Sequence, residues 1–96
     1  MSTLSQLHAR RSEIMNVASR HGVITIRIFG SVARGEDLGA SDIDLLVTTG
    51  PRVSPWFPAG MAKDLESLLG RSVDIVTERG LHPLLRTRVL AEARPL

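Results

Sequence analysis

Hydrophobic positions change their period several times along the chain, and each change marks an element. Residues 23–29, VITIRIF, alternate, with Ile24, Ile26 and Ile28 on one side and Thr25 and Arg27 on the other. A period of two in β-branched residues predicts a strand. Residues 43–49, IDLLVTT, predict a second strand, and residues 71–77, RSVDIVT, a third. Between those two, Met61, Leu65, Leu68 and Leu69 recur at i, i+4, i+7 and i+8, which is a helical core stripe stopped by Gly70. Upstream, Leu4, Leu7, Ile14 and Ala18 predict one first helix, capped by Ser2 or Ser5 and running to about His21, where Gly22 ends it. A last helix is expected from Leu81 to about Ala93, with Pro83 in its first turn and Pro95 beyond its end.

The predicted order is helix, strand, turn, strand, helix, strand, helix. Residues 31–41 are small and polar and read as a short helical turn and a loop, while 50–58, with three prolines, is a loop. With 96 residues the chain is long enough for one core and too short for two, so residues 1–96 form a single domain. Three strands with flanking helices make a small α/β sandwich.

Composition narrows the function classes. There is no cysteine, hence no disulfide framework and no thiolate metal site, which fits a reducing cytoplasm. The polar start lacks the apolar segment of a signal peptide, and no apolar run approaches the ~18–20 residues of a membrane span, so a soluble cytoplasmic protein is expected. Net charge is only +2 and the arginines are scattered, so direct nucleic-acid binding is not expected. His8, His21 and His82 have no metal-ligand spacing and read as structural or surface residues. Trp56-Phe57, the one aromatic pair, reads as packing, with an exposed anchor for a partner as the alternative.

The chemistry concentrates between Gly30 and Asp44. A strand ends at Gly30, and a short helix is expected from Ser31, whose backbone N–H groups would attract an anion. Glycine permits close approach to the backbone, Ser31 adds a hydroxyl, and Arg34 adds a fixed positive charge suited to phosphate oxygens. Asp42 and Asp44 open the second strand, two residues apart and so on one side of it, roughly 6–7 Å apart. Such carboxylates repel unless a cation lies between them, and hard oxygen ligands beside a triphosphate suit Mg²⁺. Asp74, between Val73 and Ile75, is an acid in a strand interior that needs a partner. Facing the same metals, it could bind one and take a proton from an attacking hydroxyl. A purely structural account has Ser41-Asp42 capping a turn and Asp74 paired with an arginine such as Arg27.

Gly30-Ser31, ten intervening residues and Asp42-Ile43-Asp44 resemble the G-S-x10-D-x-D pattern of the DNA polymerase β-like nucleotidyltransferases. The fuller run G-S-V-A-R-G…S-D-I-D-L-L-V, with the V-D-I-V strand and the A-E-A-R-P-L ending, is similar to the minimal nucleotidyltransferase (MNT) branch. The resemblance implies an α/β (α+β) fold with a mixed sheet of three or four strands, two Mg²⁺ ions, and nucleotidyl transfer with release of pyrophosphate. Gly30, Ser31 and Arg34 would hold the triphosphate, and Asp42, Asp44 and Asp74 would be the catalytic, metal-binding carboxylates. It further implies an antitoxin role, in which AMP from ATP is attached to a hydroxyl of a HEPN-domain ribonuclease toxin. Two other functions compete: a silent MNT-fold module that neutralises its partner by contact, and a small-molecule nucleotidyltransferase needing a partner chain. A domain this small also makes an oligomer or hetero-complex plausible.

Overall fold

The computed structural model describes residues 2–39 and 41–96. Helices α1 (Thr3–Ala9) and α2 (Arg11–Arg20) lead into β1 (Val23–Phe29), followed by the short α3 (Gly30–Arg34) and β2 (Ile43–Thr49). Then come α4 (Ala59–Leu69), β3 (Val73–Thr77), α5 (Pro83–Glu92) and β4 (Arg94–Pro95). The strands form one sheet in the order β3-β2-β1-β4. β1 runs antiparallel to β2 and β4, and β2 runs parallel to β3, so the sheet is mixed and helices flank it.

The two faces of the sheet are unequal. Ile26, Ile28, Ile43, Leu45, Val47, Val73 and Ile75 share the main core with Leu7, Ile14, Val17 and Ala18 of the first helices and Met61 and Leu65 of α4. Burial of these aliphatic side chains drives the fold, each worth roughly 1.5–3 kcal/mol when fully buried. On the opposite face α5 covers much less, its Val89 meeting Leu46 and Leu81, with Phe29 and Val76 packed alongside. Beyond Leu46, the face towards the start of β2 is open enough to carry charge.

Several expectations are revised. The single first helix is two, broken at Arg10. The Arg10 guanidinium reaches across to donate to the Leu68 carbonyl of α4 at 2.7 Å, a tertiary contact that no helical period announces. Ile24 does not share the inner side with Ile26 and Ile28. A register shift between Val23 and Thr25 turns Val23 inward and leaves Ile24 60% exposed. The third strand begins at Val73, so Arg71 and Ser72 lie outside it. A fourth strand, β4, pairs with Arg27 and Ile28. Its two residues are too few for any period, and its proline is tolerated because it sits at the sheet edge. The aromatic pair divides: Phe57 packs on the core, whereas Trp56 is 80% exposed. His21 contacts Ser54 at 2.6 Å and Asp64 at 2.7 Å, and His82 caps α5 by accepting from the Leu84 N–H at 3.2 Å. Among the described residues no helix is long and apolar enough to cross a membrane.

Candidate active site

One row across the sheet organises the site. Parallel pairing sets Asp44 of β2 directly beside Asp74 of β3, and antiparallel pairing sets Phe29, the last residue of β1, on the other flank of Asp44. Residues in register on neighbouring strands project from the same side, so the Asp44 and Asp74 carboxylates share a face. It is the thinly covered α5 face, since Leu46, two residues further along β2, lies under Val89. Asp42 precedes β2 and is exposed.

The Asp44 carboxyl feels its acidic neighbours. Burial raises its carboxyl above the ordinary value, and the charges of Asp74 and then Asp42 raise it further; Arg34 pulls partly back, and Glu92 adds a small rise. None of Asp42, Asp44 and Asp74 takes part in a salt bridge among the described residues. The structural alternative for Asp74 therefore fails, because Arg27 pairs instead with Glu78 at 2.8 Å. Asp74 is also exposed rather than buried. β3 is an edge strand, and among the described residues this exposed acid has no counter-ion.

The donor set fits a hard divalent cation: oxygen ligands only, three like charges, and one carboxyl already penalised for ionising beside the others. The acids are not drawn into a closed cage. Among the described residues no three such side chains already stand at metal-ligating spacing.

Gly30 stands where the row meets the turn. Its φ is +75°, and a Cβ there would overlap the Asp44 carboxylate, so two independent constraints demand glycine. The space that a side chain would fill at this position is occupied by Asp44. The Gly30 N–H donates to Glu92 Oε1 at 2.9 Å. Arg34 Nη1 binds both oxygens of the same carboxylate at 3.2 and 3.1 Å, and its Nε reaches Glu36 at 3.2 Å. Although burial pushes the Glu92 carboxyl up, the Gly30 N–H and Arg34 outweigh it and hold Glu92 below its usual value. Ser31 Oγ donates to Ser41 Oγ at 3.3 Å, which joins the turn to the residue before Asp42.

All six residues singled out from the sequence thus gather at one end of β2. Glu92 is the residue that sequence reasoning missed. It approaches Gly30 from 62 positions away, and its only signal was a place in the A-E-A-R-P-L ending.

Known proteins similar to this chain identify its family. The family profile described as "Nucleotidyltransferase domain" matches residues 12–96. "Putative protein adenylyltransferase MJ0435" of Methanocaldococcus jannaschii is 41% identical over 83 residues, covering 86% of this chain and 89% of that protein. "Protein adenylyltransferase MntA" of Thermococcus cleftensis is 36% identical over 88 residues, covering 92% of this chain and 86% of that protein. A solved "putative minimal nucleotidyltransferase" is 49% identical with a TM-score of 0.83, covering 100% of this chain and 97% of the other. A mutant form of a MntA–HpeT toxin–antitoxin structure has a TM-score of 0.73 at 25% identity, covering 90% of this chain and 70% of the other. With its strand-end glycine and serine, its paired aspartates and these relatives, the chain belongs to the nucleotidyltransferase domain family, as an enzyme of the minimal, MntA-like protein adenylyltransferase type.

Proposed function

We propose that this enzyme is a Mg²⁺-dependent adenylyltransferase that moves AMP from ATP to a hydroxyl of a protein partner, and that the partner is a HEPN-domain ribonuclease toxin which the transfer silences. The observation that carries the reading is the row Phe29-Asp44-Asp74 beside Gly30, in which Asp44 is pushed up by burial and by two other carboxylates. A toxin as the partner is supported by likeness to the MntA–HpeT toxin–antitoxin structure. The narrower choice of a HEPN ribonuclease follows the sequence resemblance.

In this reading Asp42, Asp44 and Asp74 would hold two metal ions, which would supply neutralising charge to the reacting phosphate. Gly30 N–H, Ser31 Oγ and Arg34 orient the triphosphate. To engage it, the Gly30 N–H and Arg34 exchange the Glu92 carboxylate for phosphate oxygens. The acceptor oxygen forms a bond to the α-phosphorus as the bond to the bridging oxygen breaks; pyrophosphate leaves and Asp74 takes the hydroxyl proton.

The test is label transfer. The chain is incubated with α-labelled ATP, Mg²⁺ and a candidate HEPN partner, beside the Asp42→Ala/Asp44→Ala variant and a chelator control. Label on a partner hydroxyl, absent in both controls, is the expected result. Tight association without label, equal in wild type and double variant, would instead make the chain a binding module.

A further inference from the structure

We propose that Arg71 is a positioning residue for Asp42, because Arg71 and its neighbour Ser72 grip the backbone on both sides of that carboxylate. Arg71 Nη2 donates to the Ser41 carbonyl at 2.5 Å, and the Ser72 carbonyl accepts from the Ile43 N–H at 2.9 Å. Residues 41 and 43 are thereby held from residues 71 and 72, and the residue between them is Asp42. The same segment continues into β3, where Asp74 is the second residue. One short piece of chain therefore sets Asp42 and Asp74 relative to each other.

The grip is anchored. Arg71 Nη1 donates to Thr3 Oγ1 at 2.9 Å and to Asp37 Oδ2 at 3.3 Å, and the Thr3 hydroxyl donates to Asp37 Oδ2 at 2.6 Å. Two distant stretches, the start of α1 and the loop between α3 and β2, are thus tied to one guanidinium on the approach to β3. The Arg71 side chain is 17% exposed and that of Asp37 is 7% exposed, so the pair is largely shielded from water. Among the described residues the buried Arg71 Nε has no partner. Leaving a buried N–H unpaired carries a desolvation cost, and here the guanidinium bears it while its two Nη groups reach three acceptors. Lysine cannot substitute, since an ammonium is a single point without the planar fork. Ser41 extends the grip to the triphosphate side through Ser31 Oγ.

This inference rests on the proposed metal role of Asp42, so its test pairs one readout that needs metal with one that does not. Full-length Arg71→Lys, Arg71→Ala and Asp42→Asn are compared with wild type. Hydrogen exchange followed by NMR reads the Ile43 amide against those of Leu45 to Val47. Binding of Mn²⁺, followed by its paramagnetic signal, reads the carboxylate site. In Arg71→Lys the Ile43 amide should exchange about tenfold faster while the strand core is unchanged. Its Mn²⁺ affinity should fall by about 10–100-fold, the range for a residue that orients a metal ligand. Asp42→Asn should lose Mn²⁺ and keep the Ile43 protection. Arg71→Lys keeps the buried charge and folds even if Arg71→Ala does not. Unchanged Ile43 protection in Arg71→Lys overturns the grip, and faster exchange with Mn²⁺ affinity within about twofold of wild type overturns the positioning role. Wild-type protein that binds no Mn²⁺ sinks the metal reading itself, and the Ile43 exchange still decides the grip.

Discussion

Asp37 lies in the loop between α3 and β2 and Asp44 just past its end, yet they live in opposite electrostatic worlds. Asp37 is compensated: the Thr3 hydroxyl, foremost, and the Arg71 guanidinium hold its carboxyl below the ordinary value against the effect of burial. Asp44 is half-buried and is pushed up by that burial and by the charges of Asp74, Asp42 and Glu92. A carboxylate of the first kind stabilises the fold. One of the second kind costs stability until something positive arrives, which is how a strained functional group differs from a structural one. The contrast also explains why the site keeps its shape while carrying repulsion: the compensated pair lies next to the uncompensated cluster and braces the same loop.

The strongest way to break this comparison is to neutralise each acid in turn. Asp44→Asn should cut transfer by at least ~100-fold, more than is typical for a residue that only supports a ligand. The metal-free protein should melt at the same temperature or a few degrees higher, because a repulsion is removed. Asp37→Asn should do the reverse. Losing the charge opposite Arg71 should lower the melting temperature by roughly 5–10 °C, with a smaller loss of transfer per folded molecule. Thermal melts and label transfer on the same preparations check both. If Asp44→Asn melts as low as Asp37→Asn, the two acids do not differ in kind.

Much of this was legible beforehand, for identifiable reasons. Ile43, Leu45 and Val47 announce β2 because the α1/α2/α4 side of the sheet is thickly covered and alternation is enforced there. The G-S and D-I-D positions were visible because glycine and paired acids are costly where nothing requires them. What stayed hidden depends on contacts between distant segments. Arg71 looked like the first residue of a strand, yet its contacts reach back to Thr3, Asp37 and Ser41. Glu92 fell near the end of the last predicted helix with nothing to single it out, yet it caps the turn at Gly30. Asp74 was expected in a buried strand, but a periodic pattern does not say which strand forms the edge. The break at Arg10 and the bulge at Ile24 are likewise settled by packing rather than by local preference.

A finer probe of the open region is Glu92, which occupies the Gly30 N–H and Arg34 with its own carboxylate. If the triphosphate uses those donors, Glu92 competes with it. Glu92→Gln keeps a carbonyl oxygen for the Gly30 N–H and gives up the charge that holds Arg34. Because the Arg34 pair is solvent-accessible, the gain is modest: ATP should bind up to about fivefold tighter by calorimetry. Weaker binding would mean that Glu92 holds the turn in its working shape rather than competing for it.

The smallest effect is in the pH dependence of stability, and its sign separates the two acids most cleanly. Asp44 has its folded value raised, so the stability it contributes is fully present below the ordinary carboxylate pKa of about 3.9 and is lost as pH rises through the raised value. Asp37 has its folded value depressed, so its contribution is present above about 3.9 and is lost as pH falls through the lowered value. Between about pH 4 and 7, in chelator, the advantage of Asp44→Asn over wild type should therefore grow with pH, by about 1–3 °C. The deficit of Asp37→Asn should stay flat over that range and shrink only at lower pH. Added Mg²⁺ should erase the first difference, because the cation favours the ionised Asp44 and stabilises wild type alone. An Asp44→Asn advantage that shrinks with rising pH would show that the carboxylates at positions 42 and 74 do not repel it, and the two regions would then be alike.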